Sequence, residues 1–226
     1  MKMGLPWRTV RFRIRRDLLI SPDEIKMATS KKDQILQLFK QMDVVRPRDA
    51  EAAGIAGSYL NALYSKGILE RPSRGLYTLP NTEPSEFRSI VEACKLSPNA
   101  IVCLLSALRI HDLTTQSPYE VWLAIGERDR KPQMTYPPIR IVRFSGASRE
   151  YGIEKRKIEG VTVSVYSAAK TVADCFKYRN KIGLDVAIEA LRDCRSSKKA
   201  TIDQIWQAAK VCRMANVMRP YLEAIS

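Results

Sequence analysis

The chain has one histidine, His111, and that scarcity removes most catalytic readings at the outset. A multi-histidine metal site cannot be built from a single imidazole, and a Ser-His-Asp triad would have to form around this one ring. Five cysteines are scattered at 94, 103, 175, 194 and 212 with no CxxC pair, so zinc-ligand spacing is missing and buried, reduced thiols in a cytoplasmic protein are expected. No run of about 18 apolar residues occurs, which excludes a membrane-spanning helix on hydropathy. No short apolar segment follows the first basic residues, which argues against a secretion signal. Glycine-rich phosphate loops of the P-loop or GxGxxG kind are absent. Acids are also short: 24 Asp and Glu face 38 Lys and Arg, a net charge of +14. That balance favours an anionic partner, usually nucleic acid.

At 226 residues the chain is long enough for one large or two small units. Three stretches differ in character. Residues 1–29 form a basic arm in which Lys2, Arg8, Arg11, Arg13, Arg15 and Arg16 precede the first acid, Asp17. A phosphate-gripping arm, an added strand and a start-site extension ahead of Met27 are three readings of it. Residues 30–80 predict a winged helix-turn-helix. Residues 81–226, after the turn-rich segment 80–84, predict a larger mixed α+β domain with a small sheet and C-terminal helices. The fold class is therefore α+β.

The winged-helix expectation comes from local signals. Ser30 precedes a helix over 31–42, with Asp33 placed as in a capping box. Its apolar positions Ile35, Leu36, Leu38, Phe39 and Met42 make one wide stripe. Pro47 suits the first turn of a second helix over 47–53. A third helix is expected over 57–66. The segment 67–79 reads as two short strands around a turn carrying Arg71 and Arg74. A helix-turn-helix sets its second helix in the major groove. Ser58, Tyr59, Asn61 and Ala62 are then the base-facing positions, and Asn61 can bond an adenine edge twice. Arg46, Arg48 and Lys66 suit phosphate contacts. Arg71, Ser73 and Arg74 occupy the wing. A winged helix can also act only as a protein-interaction module.

In the second part, helices are expected over 85–96, 98–110, 167–178, 184–195, 202–210 (Thr201 as cap, Gln204 three residues on) and near 218–224. Strands over 119–125, 139–144, 151–158 and 161–165 imply a sheet of three or four strands. The loop 126–138 carries Arg128, Arg130 and Lys131.

Enzymatic signals are thin. Ser167-Ala168-Ala169-Lys170 has the S-x-x-K spacing without its companion motifs, and Ser167 reads more simply as a helix N-cap. His111-Asp112 resembles a phosphohydrolase dipeptide without the other histidines that chemistry needs. Glu120, Glu154, Lys155 and Lys157 are the loose candidates for a magnesium-dependent nuclease. No catalytic, cofactor or metal residue is assigned on these grounds.

A resemblance does emerge from Val45-x-Pro47, Ala53-Gly54-Ile55, Leu60, Leu63, Gly67-x-Leu69-Glu70-Arg71 and Arg74-Gly75-Leu76-Tyr77. Further on it is carried by Ser106-Ala107-Leu108, His111-Asp112-Leu113-Thr114, Val121–Ile125 and Val165–Cys175. Over residues 31–226 this pattern resembles the AbiEi family, the antitoxin and repressor half of abortive-infection toxin–antitoxin operons. Lys170 stands where the pattern suggests Arg, which loses the bidentate fork toward Asp174. The resemblance implies a repressor that binds inverted repeats in double-stranded promoter DNA. It also implies an antitoxin that counteracts a nucleotidyltransferase-like toxin without a stable complex, as a monomer or a dimer. The rival readings are a nuclease-like second domain and a module that holds a toxin directly.

Overall fold

The computed structural model describes residues 30–83 and 85–225. The basic arm 1–29 lies outside them. The chain is mixed α+β. It runs α1 (Lys31–Gln41), α2 (Pro47–Ala52), α3 (Ser58–Ser65), β1 (Glu70–Ser73), β2 (Leu76–Thr78), α4 (Arg88–Leu96), β3 (Ile101–Val102) and α5 (Leu104–Ile110). There follow β4 (Val121–Gly126), β5 (Ile139–Phe144), α6 (Ala147–Glu150), β6 (Ile153–Ile158) and β7 (Val161–Tyr166). The last elements are α7 (Ala168–Lys177), α8 (Arg179–Ile182), α9 (Leu184–Ser196), α10 (Ile202–Val211) and α11 (Ala215–Glu223).

The helix starts follow their caps. The Ser30 hydroxyl accepts from Lys32 N–H at 3.1 Å, and the Asp49 carboxylate accepts from the Arg46 N–H at 2.7 Å at the head of α2. Thr201 and Gln204 form a reciprocal capping box before α10, as their spacing predicts. In the N-terminal unit, Ile35, Leu38 and Phe39 of α1 close over Ala50, Ile55, Leu60, Leu63, Leu69 and Tyr77. Val45 joins the β1–β2 hairpin through paired 2.9 Å bonds with Tyr77.

The larger sheet has five strands in the order β5-β4-β3-β7-β6, against an expected three or four. The added strand is β3, which lies inside the segment 98–110 that the sequence predicts as helix. Strand β3 runs antiparallel to β4 and parallel to β7, so its pairing partners are remote in sequence. The apolar stretch around it has no periodicity that separates strand from helix. Side chains of β4 alternate between two cores. Trp122 and Ala124 face α7, α9 and α10; Val121, Leu123 and Ile125 face the side covered by α4. The edge strand β6 is guarded by Glu154, Lys155, Arg156 and Lys157, charges that discourage pairing with another strand.

The N-terminal unit is not tethered loosely to this sheet. Val44 and Leu76 belong to the same core cluster as Ile90, Val91, Val161, Val163 and Val165. At the seam, Arg88 lies 3.6 Å from both Asp43 and Glu159, and Lys95 pairs with Asp49. The tightest approach is at Gly160, with φ +75°, where an added Cβ would lie 1.6 Å from the Gln41 carbonyl oxygen. Only glycine combines that backbone angle with that proximity. No helix among the described residues is long and apolar enough to cross a membrane.

Candidate nucleic-acid interface

Helix α3 is the element best placed to meet a ligand. Leu60 and Leu63 anchor it in the core, at 0% and 4% exposure. The opposite face presents Ser58, Asn61, Ala62, Ser65 and Lys66 to solvent. Tyr59 is half-buried against the core, so it serves packing and surface together. The start of α3 lies close to α2: a Cβ at Gly57 would come within 2.8 Å of Pro47 Cβ and the Glu51 carboxylate. That close crossing fixes the direction in which α3 projects.

The hairpin stands beside this face. Arg71 and Arg74 are exposed and Ser73 is half-buried. The Arg71 guanidinium lies over the Tyr64 ring at 5.1 Å, and Tyr64 meets Tyr77 edge-on at 6.5 Å. The pair of rings therefore carries Arg71 in a defined place between α3 and the hairpin. At 41% exposure Tyr64 is itself part of that surface.

The basic residues around the unit divide. Arg48 and Lys66 are exposed. Arg46 is turned inward: its guanidinium Nη1 donates to the Lys95 carbonyl of α4. It thus ties the N-terminal unit to the body, beside the Lys95–Asp49 pair.

Across from the hairpin lies the loop 127–138. Pro72, Ser73 and Arg74 line one side of a groove of about 990 Å³, and Lys131, Gln133, Thr135 and Tyr136 line the other. Tyr136 is 50% exposed. The loop is held at its base. Arg143 Nη1 lies 2.6–2.9 Å from the carbonyls of Gly126, Glu127 and Asp129. Arg149 pairs with Asp129 at 2.8 Å. The positive residues of this loop were visible in the sequence, but their position facing the hairpin was not.

The residues considered for catalysis are not brought together for it. Glu120 pairs with Arg140 at 2.9 Å beside β4, and Glu154 with Arg156 at 3.4 Å on β6. Two strands separate β4 from β6, which puts them roughly 14 Å apart at ordinary strand spacing. The nuclease arrangement of adjacent strand ends does not form. In the S-x-x-K segment, Ser167 Oγ accepts the Lys170 backbone N–H at 3.3 Å, the N-cap role. Lys170 Nζ instead reaches Asp174 at 2.5 Å, with both side chains fully buried. Phe144 and Tyr166 place their rings 4.5 and 4.3 Å from that ammonium. Burial raises the Asp174 pKa and the neighbouring Lys170 opposes the rise. The pairing with Asp174, which the loss of the guanidinium fork puts in doubt, is made by the Lys170 ammonium. Among the described residues no group of three or more His, Cys, Asp or Glu side chains could hold a metal ion. All five cysteines are free and buried.

Comparison with known proteins bears on the helical unit. Residues 33–80 match the sequence profile of a family described as "Transcriptional regulator, AbiEi antitoxin". That segment contains α2, α3 and the hairpin, with most of α1. No curated protein matches the chain. Among solved structures, the fold is similar to the crystal structure of the RV2827C protein from Mycobacterium tuberculosis. The TM-score is 0.53 at 12% identity, over 85% of this chain and 78% of that one. At that identity the likeness concerns fold alone. The family match supports a regulator or antitoxin role.

Proposed function

We propose that this chain, whose residues 33–80 match the AbiEi antitoxin regulators, is a DNA-binding repressor and antitoxin with a winged helix-turn-helix at its N-terminal end. The observation that carries the reading is the polar outer face of α3, Ser58, Asn61, Ala62 and Lys66, set beside the exposed Arg71 and Arg74 of the hairpin. In this reading α3 enters the major groove, where Asn61 and Ser58 reach base edges. Arg48 and Lys66 hold flanking phosphates. The hairpin is the wing, and Arg74 clamps the backbone or enters the minor groove.

The loop 127–138 extends that surface. Its Lys131 lines the same groove as Arg74, so a backbone strand following the wing would meet a cation from each segment. Arg46 is left out of the contact set, because its guanidinium is spent on α4. The partners proposed from the resemblance are double-stranded promoter repeats and a nucleotidyltransferase-like toxin, in the cytoplasm.

A titration with the duplex upstream of the gene, against a scrambled duplex at two salt concentrations, tests the reading. Selective binding by roughly a thousandfold or more is expected. The Arg74→Ala variant should weaken binding and lower the salt slope by about one phosphate contact. Equal affinity for both duplexes, or an Arg74→Ala titration that overlays the parent, would defeat the proposal. The antitoxin half is tested separately, by rescue of growth when this chain is co-expressed with the toxin of its operon.

A further inference from the structure

Helix α4 opens with Arg88, and Glu92 follows one turn later on the same side. Both are buried, Glu92 at 2% exposure. Three segments far apart in the chain meet them. Glu159, at a positive φ of +47°, comes from the turn between β6 and β7. Asp43 comes from the segment between α1 and α2. Ser85, in the connection that leads from the hairpin to α4, donates its hydroxyl to Glu159 Oε1. One cluster therefore joins the helical unit, its connection and the sheet.

The cluster is loosely made for its depth. Arg88 Nη2 stands 3.6 Å from Asp43 Oδ2 and Nε 3.6 Å from Glu159 Oε2, both beyond hydrogen-bond length. Arg88 Nε and Nη1, Glu92 Oε2 and Glu159 Oε2 are buried without a hydrogen-bond partner. Buried polar atoms are nearly always paired, so this gathering calls for an explanation. The charges offer one. The Asp43 side chain is 41% exposed and faces solvent, whereas that of Glu159 is 7% exposed. Arg88 balances one buried carboxylate, and Glu92 and Glu159 are two. If both ionised, one would be a buried charge without a counterion. A protonated Glu92 is neutral, and its hydroxyl is a donor where an ionised carboxylate offers only acceptors.

We infer that Glu92 holds a proton in the folded chain, and that Arg88, Glu92 and Glu159 form a proton-linked latch that keeps the helical unit on the sheet. An ionised Glu92, one turn from Arg88, competes for the guanidinium and draws it from Asp43 and Glu159, the two contacts that reach other segments. The latch lies in the seam, not on α3 or the hairpin, so it stands whether or not the chain binds DNA.

The sign of the linkage follows from the surroundings. Burial raises the Glu92 pKa; Arg88 opposes the rise and Glu159 adds to it. Lys95, further along α4, is taken by Asp49. The strands packed on α4 present apolar side chains such as Val102, Leu123 and Val163. The folded pKa therefore lies above the ordinary value of 4.5. Between the two values the native state holds the extra proton, so the latch is complete at the acid end and is lost as pH rises through the folded pKa.

Chemical denaturation of the full chain and of Glu92→Gln, from about pH 5 to 8.5, tests this. Glutamine has the shape of the protonated acid and cannot ionise, and the two proteins share every other titrating group. Their unfolding constants should lie close together near the acid end. The parent's should then rise relative to the variant's by up to about tenfold per pH unit until the folded pKa is passed. Digestion by proteinase K at matched pH reads the seam itself, because cleavage tracks the population of the opened form. At about pH 8 the connection 79–87 should be cut several-fold faster in the parent than in Glu92→Gln, and at about pH 5.5 the rates should agree. A ratio of unfolding constants that does not change with pH overturns the proton, as does a variant that fails to fold or is less stable than the parent at the alkaline end. A ratio that changes with pH while the connection is cut equally in both proteins overturns the latch.

Discussion

Replacing Lys170 with methionine probes the centre of the larger core. Lys170 and Asp174 are one helical turn apart on α7, and neither is exposed to water. Methionine keeps the length of the side chain and removes the charge. The aromatic faces of Phe144 and Tyr166 accept it without a new void. What remains is a buried carboxylate with one weak donor, the Cys212 thiol at 3.4 Å. Breaking a buried pair on one side costs about 3–5 kcal/mol. For a chain of this length each kcal/mol lowers Tm by about 2–4 °C, so a fall of roughly 6–20 °C is expected. The total stability of an ordinary domain is only about 5–15 kcal/mol.

The loss has a pH dependence whose sign is fixed. Burial already raises the Asp174 pKa above its unfolded value, and without Lys170 the rise is larger. Between the unfolded and folded pKa values the native state binds the extra proton, so stability falls as pH rises, by about 1.4 kcal/mol per unit. The penalty of Lys170→Met should therefore shrink on acidification toward the ordinary Asp range and reach its plateau above the folded pKa. Chemical denaturation at two pH values measures it. The double variant with Asp174→Asn removes the orphaned charge and should recover more than half of the loss. A single variant that costs less than about 1 kcal/mol, or a double variant no better than the single, would refute the account of a coupled buried pair.

Three other expectations follow from the packing. Gly160→Ala adds a methyl group 1.6 Å from the Gln41 carbonyl at a positive φ; a loss of roughly 2–5 kcal/mol is expected, with faster proteolysis in 79–85, and unchanged denaturation and digestion would show that the seam is soft. Burial pushes Cys94 and Cys212 up to about 12 and Cys194 to about 11. A thiol reagent at neutral pH should find none of the five cysteines in the native protein and all of them in denaturant, and rapid native labelling contradicts that. Arg143→Ala frees the carbonyls of Gly126, Glu127 and Asp129; amide exchange in 127–138 should accelerate while the β4 core stays protected, and no change there would mean the loop is held otherwise.

Much of the fold was legible because its signals are local. Pro47 opens α2, Thr201 and Gln204 cap α10, and the stripe of α1 faces inward at Ile35, Leu38 and Phe39. Each of these is decided within a few residues of chain. Strand β3 was not legible. Two residues, Ile101 and Val102, become a strand only because β4 and β7 arrive on either side. Part of the candidate site was hidden for the same reason. Ser58, Asn61, Ala62 and Lys66 are exposed because Leu60 and Leu63 alternate with them on a helix, which the sequence states. Arg46 looks like any surface arginine next to Pro47, and only the arrival of α4 shows where its guanidinium goes. His111 stood out as the lone histidine, but its Nε2 bond to the Tyr166 carbonyl joins residues 55 apart in the chain.

If the proposed DNA-binding role holds, the seam between the helical unit and the sheet limits how the chain can bind. A recognition unit on a free linker samples many orientations and pays that entropy on binding. Here Val44 and Leu76 share a core with α4 and β7, Gly160 abuts the end of α1, and Arg46 is bonded to α4. The β1–β2 hairpin and the loop 127–138 are therefore presented at one fixed angle. On that reading, a rigid pair of this kind would grip backbone on both sides of the hairpin at once and would not adjust to altered spacing along the duplex. Loosening the seam by Gly160→Ala should then reduce affinity for the promoter duplex while α3 itself stays intact. If that variant folds and binds with parental affinity, the loop and the wing act independently and the groove between them contributes nothing to recognition.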